Sequence, residues 1–94
     1  MKINVTLNLF IPSVEVKEKN LNLDVDENST ISDLIDMVDK INSGFKNAIM
    51  DNKNEISKQF LFFINGNNIA YKDGLETVLH SNDEVNVISA IAGG

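Results

Sequence analysis

The sequence predicts an α+β domain in which a mixed sheet of four to five strands is covered on one face by one main helix. Two alternating apolar stretches lie near the N-terminus, a helical apolar stripe follows, and two further strand-like stretches lie toward the C-terminus. A hairpin crossed by one helix, with later strands added to it, gives a mixed sheet of this kind. The 94 residues suffice for one such domain.

Period-two alternation predicts the first two strands. Every second residue is apolar over residues 3–11, which is typical of a strand with one buried face. Pro12 and Ser13 end this strand. Alternation resumes over residues 21–25 after the polar loop KEKN. The short connection favours a hairpin.

A helix is predicted to follow the hairpin. Thr30 and Asp33 have the spacing of a capping box, with Asp in place of the usual Glu. Gly44 is predicted as the left-handed residue just past the end of this helix, and residues 45–50 as a further short helical turn. The apolar residues of the main helix fall on one stripe, comprising Ile31, Leu34, Ile35, Val38 and Ile41.

The last third of the sequence predicts two or three strands. FLFFI, residues 60–64, is a strand ended by the turn pair Asn65-Gly66. Residues 69–71 are predicted as a short fourth strand, residues 75–79 as a short helical turn, and residues 85–89 as the final strand.

Composition excludes several functions. The net charge is −6, and the eight lysines are scattered, with no arginine, so a nucleic-acid partner is not expected. The acidic balance favours a basic partner surface. There is no cysteine, which excludes disulfides and thiolate chemistry. The N-terminus alternates and no apolar run approaches membrane-spanning length, so we expect a cytoplasmic protein with no membrane partner.

No metal site is expected either. DVDENS, residues 24–29, resembles the start of a calcium loop, but Ser29 replaces the required glycine and Ile35 the required glutamate. His80 is the single histidine and has no second ligand at useful spacing. We interpret it as a surface or turn residue.

These elements in this order resemble the β-grasp, or ubiquitin-like, arrangement. Residues 64–94, INGNNIAYKDGLETVLHSNDEVNVISAIAGG, are similar to the C-terminal third of the MoaD/ThiS sulfur-carrier family. The matching pieces are Asn65-Gly66, Gly74-Leu75, Leu79, Asp83-Glu84-Val85 and the final Ala92-Gly93-Gly94. The extended region 45–58 resembles the longer MoaD-like proteins. The family's prolines before the last glycines are absent, which leaves the subfamily and the activating enzyme open.

The resemblance implies a β-grasp domain over residues 1–89 and a flexible tail over residues 90–94. The carboxylate of Gly94 would be anionic at neutral pH and would be adenylated by an E1-like enzyme of the MoeB/ThiF kind, which uses ATP and Mg²⁺. The acyl-adenylate would then give a thiocarboxylate or an isopeptide bond. Gly93 and Gly94 lack a Cβ and fit a narrow channel, and five extended residues reach at most about 17 Å.

The resemblance therefore implies a carrier and not an enzyme, with no bound cofactor of its own. The first choice is the small subunit of molybdopterin synthase, which donates sulfur inside a larger catalytic subunit. A thiazole-synthesis sulfur carrier and a ubiquitin-like modifier conjugated to lysines are alternatives. A further alternative is a β-grasp binding module with an inert tail, in which the two glycines are merely a frayed terminus.

Alternation also predicts a docking face. Phe60, Phe62 and Ile64 are placed inward, so Leu61 and Phe63 point outward. In the last strand Val85 and Val87 point inward and Ile88 outward, and Phe10 is the outward residue of the first strand. Such a cluster near the root of the tail suggests an interface, with Ser89, Ala90, Ile91 and Ala92 leading from it to the glycines.

Two features of this prediction have alternatives. Phe63 could instead be covered by the segment 45–58. Asp33, Asp36 and Asp39 are interpreted as a solvated helix face, and the functional alternative is contact with a basic groove on a partner.

Overall fold

Residues 1–90 are described by a computed structural model. The strands are β1 (Lys2–Phe10), β2 (Asn20–Asp26), β3 (Phe60–Ile64), β4 (Asn67–Asn68) and β5 (Asp83–Ser89), and the helices are α1 (Ile31–Ile41) and α2 (Phe45–Ile49). The five strands form one sheet in the order β2-β1-β5-β3-β4. β1 and β5 are parallel and the other neighbours are antiparallel. The predicted α+β, β-grasp arrangement is confirmed.

The core lies between the sheet and the two helices. Alternation placed the strand residues correctly, since β3 buries its first, third and fifth residues and leaves the second and fourth half-buried. Burying an aliphatic or phenyl side chain contributes roughly 1.5–3 kcal/mol. The core residues from the central strands and the helices include Val5, Leu7, Leu9, Phe62, Val85, Val87, Ile31, Leu34, Ile35, Val38, Phe45 and Ile49.

Helix α1 begins as predicted and ends earlier than predicted. The Thr30 side chain accepts a hydrogen bond from the Asp33 backbone N–H, and the Asp33 carboxylate accepts from the Thr30 N–H at 2.9 Å, which completes the capping box. The C-cap is Asn42, and Gly44 is instead the N-cap of α2, with φ of 95°. The left-handed conformation was predicted correctly, but it turns the chain between two helices. Ile41, at the end of the stripe, is 46% exposed.

The predicted fourth strand at residues 69–71 is wrong. Strand β4 is Asn67–Asn68, and Ile69–Tyr71 forms a 3₁₀ turn. The Asn68 side chain accepts a hydrogen bond from the Ala70 N–H at 2.9 Å, which caps that turn and draws the chain away from the sheet. The helical turn predicted at residues 75–79 is a 3₁₀ turn at Gly74–Glu76.

Strand β5 begins two residues earlier than predicted, at a buried carboxylate. Asp83 pairs with Val5 of β1 and is 7% exposed. Its side chain accepts hydrogen bonds from the Asn65 side chain at 2.9 Å and from the His80 backbone N–H at 2.7 Å. These two bonds satisfy the buried carboxylate and join the turn after β3 to the start of β5.

The segment between α2 and β3 folds back on itself. Helix α2 confirms the predicted short turn, and Met50 then pairs with Ile56 in an isolated antiparallel bridge. Asp51 closes the turn between them, since its Oδ1 accepts from the Lys53 and Glu55 N–H groups at 2.8 and 3.0 Å. These bonds to the ionised form, the Glu55 one foremost, lower the pKa of Asp51.

Among residues 1–90, no helix combines the length and the apolar character needed to cross a bilayer.

Candidate functional site

An apolar row crosses the outer face of the sheet, on the side away from α1. The register pairs Ile88 of β5 with Phe10 of β1 on one side and with Leu61 of β3 on the other. Neighbouring strands lie about 4.8 Å apart, so these three side chains are direct neighbours. Phe10 is 55% exposed, and Leu61 and Ile88 are half-buried. The three outward residues predicted separately therefore form one surface, which we call the apolar row.

A row of asparagines runs beside the apolar row. Asn20 Nδ2 donates to Asn8 Oδ1 at 2.7 Å, and Asn8 Nδ2 donates to Asn86 Oδ1 at 2.8 Å. The register sets Phe63 next to Asn86 in the same row. The bonds across β2, β1 and β5 hold the amide side chains in place, so this asparagine ladder is an ordered polar border to the apolar row.

The predicted alternative, that the segment 45–58 covers Phe63, is not supported. Phe45 and Ile49 of that segment lie in the core on the helix side of the sheet, together with Phe62. Phe63 points to the opposite face because it alternates with Phe62 and Ile64. Phe63 is half-buried, and it extends the apolar surface to the next outward position of β3 after Leu61.

The apolar row lies at the end of the sheet where β5 stops. Ser89, the last residue of β5, pairs with Phe60, and the Ala90 N–H donates to the Gln59 carbonyl at 2.8 Å. Both predicted tail-root residues are thus still bonded alongside the start of β3, one and two positions past Ile88. The other predicted tail residues, Ile91, Ala92, Gly93 and Gly94, lie outside the described residues. The boundary predicted at residue 90 stays a prediction.

Charge is segregated from this surface. The side chains of the apolar row and of the asparagine ladder are uncharged, whereas carboxylates concentrate around β2 and α1. The charged residues that line a surface depression there are Asp26, Glu27, Asp33 and Asp36, with Lys40 as the one cation among them. The net charge of −6 therefore says little about the partner of the apolar row, and a basic partner would be attracted mainly to the β2–α1 side.

The helix aspartates are largely engaged within the fold. Asp33 belongs to the capping box, and Asp39 Oδ1 accepts from the Lys46 backbone N–H at 3.0 Å. Asp36 forms an ion pair with Lys46 Nζ at 2.8 Å, and this hydrogen bond raises the pKa of Lys46. The interpretation as an exposed helix face holds for Asp33 and Asp36, while half-buried Asp39 ties α1 to α2.

No group of side chains suited to holding a metal ion forms among residues 1–90. Three histidine or carboxylate side chains in an arrangement able to hold a metal ion are not found there. The His80 side chain is exposed, and its Nδ1 lies 4.0 Å from Asp83 Oδ2.

Sequence reasoning missed the asparagine ladder and the alignment of the apolar row. Alternation puts Asn8 and Asn86 on the outer face, so the signal was present. The parallel register of β1 with β5 joins residues 78 positions apart, and alternation within one strand does not specify such a pairing.

The fold and this surface define a small ubiquitin-like protein that presents the end of its last strand beside an exposed apolar row. The ThiS family model matches residues 7–94. A protein of Archaeoglobus fulgidus, named for an inferred role as a sulfur carrier protein, is 33% identical over 79 residues, which cover 84% of this chain and 89% of the relative. The chain belongs to the ThiS family.

Solved structures agree with this assignment. The small archaeal modifier protein 1 of Methanosarcina acetivorans has a TM-score of 0.74 and 25% identity, with 100% of this chain and 99% of that chain covered. A chain of the BexX/CysO complex of Amycolatopsis orientalis has a TM-score of 0.74 and 20% identity, covering 96% and 99%. The second likeness shows the shared fold. The family is one of ubiquitin-like sulfur carriers and modifiers.

Proposed function

We propose that this protein is a sulfur carrier whose Gly94 is adenylated by an E1-like enzyme and then converted to a thiocarboxylate. The observation that carries the proposal is the apolar row at the end of the sheet from which the last residues depart. A partner that covers Phe10, Ile88 and Leu61 is positioned to receive those residues. The family match, which extends to residue 94, supports the same assignment.

The chemistry requires little from the carrier. The Gly94 carboxylate attacks the α-phosphorus of ATP, pyrophosphate leaves, and an acyl-adenylate forms. A hydrosulfide ion from the sulfur donor then attacks the acyl carbon, and AMP leaves with one of the original carboxylate oxygens, so that oxygen is replaced by sulfur. The activating enzyme supplies ATP, Mg²⁺ and proton transfer.

The acceptor that we propose first is a pterin precursor in molybdopterin synthesis, reached inside the large subunit of the synthase. The extended segment 45–58, which is folded as α2 and a short bridge, resembles the longer MoaD-like carriers. In this complex the protein would be the non-catalytic small subunit. A carrier for thiazole synthesis would use the same chemistry with another acceptor.

A second candidate function is protein modification. It is favoured by the similarity to the small archaeal modifier protein 1, which the chain covers almost completely. The same acyl-adenylate would then be passed to a lysine, and an isopeptide bond would form with loss of AMP. The two functions share the activation step and differ in the nucleophile that follows.

Intact mass spectrometry tests the proposal. The protein is incubated with an E1-like adenylating enzyme, ATP, Mg²⁺ and a sulfur donor, and we expect the mass gain of one sulfur-for-oxygen exchange. Removal of Gly94 abolishes the exchange, and His80→Ala, a matched control at an exposed ionisable residue, leaves it intact. An unchanged mass with an enzyme proven active on another carrier refutes the proposal.

Conjugation is separated from sulfur transfer in the same reaction. If lysine-containing proteins are added and the carrier appears in larger covalent products that resist reducing agent, the modifier function is supported. If the Gly94 deletion binds the activating enzyme as well as the full chain does and neither product forms with the full chain, the protein is a binding module.

A further inference from the structure

A groove opens at the edge of the sheet beside β3, next to the apolar row. Strand β4 pairs only with Phe63 and Ile64, so the first three residues of β3 have no strand partner on that side among residues 1–90. The space beside them has a volume of about 520 Å³. Its walls are the segment 55–58 on one side and the chain from Asn68 to Leu75 on the other.

The lining of the groove is mostly apolar. Phe60, Phe62 and Ile69 are buried beneath it, and Ile56 and Leu75 are partly buried along its sides. Ala70 is exposed at the rim, where its small side chain leaves the groove open. A volume of several hundred Å³ is ordinary for a site that encloses a small molecule or a large side chain.

The groove is continuous with the apolar row and with the root of the tail. Leu61 lines the groove and also belongs to the apolar row. Phe60 lines the groove and pairs with Ser89, and the next residue, Ala90, bonds to Gln59. Any protein that covers the apolar row and receives the tail therefore lies next to the groove.

We propose that this groove receives an apolar anchor side chain, aromatic or long aliphatic, from the enzyme that activates the tail. The inference rests on the proposed function and deepens it, because it adds a second contact to that interface. Interfaces concentrate their binding energy in a few apolar or aromatic side chains that fill pockets on the partner. The occupant is apolar because the deep lining is Phe60, Phe62 and Ile69, while the charged residues of the lining, Glu55 and Lys58, are exposed.

Two measurements on the intact chain test the proposal. In the first, free indole is titrated into ¹⁵N-labelled protein, and we expect amide shift changes confined to groove residues such as Ile56, Ile69 and Leu75. Ala70→Trp fills the mouth and abolishes these changes. Ala48→Trp, the same substitution at an exposed position of α2 outside the groove, leaves them unaltered.

In the second, the same variants are assayed as substrates of the activating enzyme by pyrophosphate release. For Ala70→Trp we expect KM to rise about tenfold, as expected for losing one apolar contact worth roughly 1.4 kcal/mol, with kcat unchanged. Ala48→Trp behaves as wild type. An unchanged KM for Ala70→Trp overturns the proposal, as does the absence of groove shifts with indole.

Failure of the proposed function has a different signature. In that case the wild-type chain releases no pyrophosphate with an enzyme active on another carrier, and the inference falls with it. If wild type is adenylated normally while Ala70→Trp equals Ala48→Trp, the carrier function stands and only the anchor is refuted.

Discussion

Replacing Phe10 by alanine is expected to weaken binding to the activating enzyme without changing the chemical step. Phe10 is the most exposed member of the apolar row, with 55% of its surface accessible. A phenylalanine buries on the order of 200 Å² when it is fully enclosed, so about 110 Å² is left for a partner to cover. At roughly 25 cal/mol per Å², complete coverage contributes about 2.7 kcal/mol.

Alanine keeps part of that contact, so we expect a loss of about 2 kcal/mol, which corresponds to a roughly 30-fold rise in Kd. The fold should survive, because nearly half of the side chain is already covered in the free protein and the cost to the free energy of unfolding is about 1–2 kcal/mol.

The assay is calorimetric titration of the carrier into the activating enzyme without ATP, combined with the maximal rate of pyrophosphate release at saturation. Ile41→Ala is the matched control, since Ile41 is an apolar residue with 46% exposure on the helix side of the sheet. We expect Ile41→Ala to leave Kd unchanged. Equal Kd values for both variants would show that the outer face of the sheet is not where the enzyme binds.

Three further predictions concern stability, measured by urea denaturation. Asn8→Ala removes both bonds of the asparagine ladder and should cost about 1–2 kcal/mol, while Asn8→Asp, which can still accept from Asn20, should cost less; equal losses would argue against the ladder. Thr30→Ala removes the cap of α1 and should cost about 1 kcal/mol, whereas an unchanged midpoint would contradict the capping box. The pKa of Asp51 lies below its ordinary value of 3.8 because backbone N–H groups bond to the ionised form. The contribution of Asp51 to the free energy of unfolding is therefore complete at pH values above 3.8 and is lost as the pH falls through the lowered pKa of the folded protein. The stability difference between wild type and Asp51→Ala should therefore shrink in acid, and a difference independent of pH would refute the assignment.

Local pattern predicted most of the fold, because each main element carries its own signal. Alternation in β1, β3 and β5 and the capping box of α1 are short-range features, and the structure confirms them. Residues 69–71 were assigned wrongly because the Asn68 side chain competes for the backbone and turns the chain into a 3₁₀ helix. Gly44 was predicted to follow the end of α1, but it is the N-cap of α2. A left-handed glycine can turn the chain at either position, so its conformation does not decide between them.

The candidate site was predictable residue by residue but not as a surface. Phe10, Leu61 and Ile88 were each placed outward from their own strands. Their alignment depends on the registers of β1 with β5 and of β3 with β5, which connect distant parts of the chain. The groove depends on how far β4 pairs with β3, and an Asn-Gly turn fixes where that pairing begins but not where it ends.

The central position of β5 has a mechanical consequence. Because β5 is hydrogen-bonded to β1 on one side and to β3 on the other, tension applied to its C-terminal end acts along both ladders in shear. To pull β5 out of the sheet, many of its backbone hydrogen bonds to β1 and β3 would have to break at the same time. A strand at the edge of a sheet can instead be peeled away one hydrogen bond after another. An enzyme could draw the end of the chain into its cleft under strain while the body behind it stays folded.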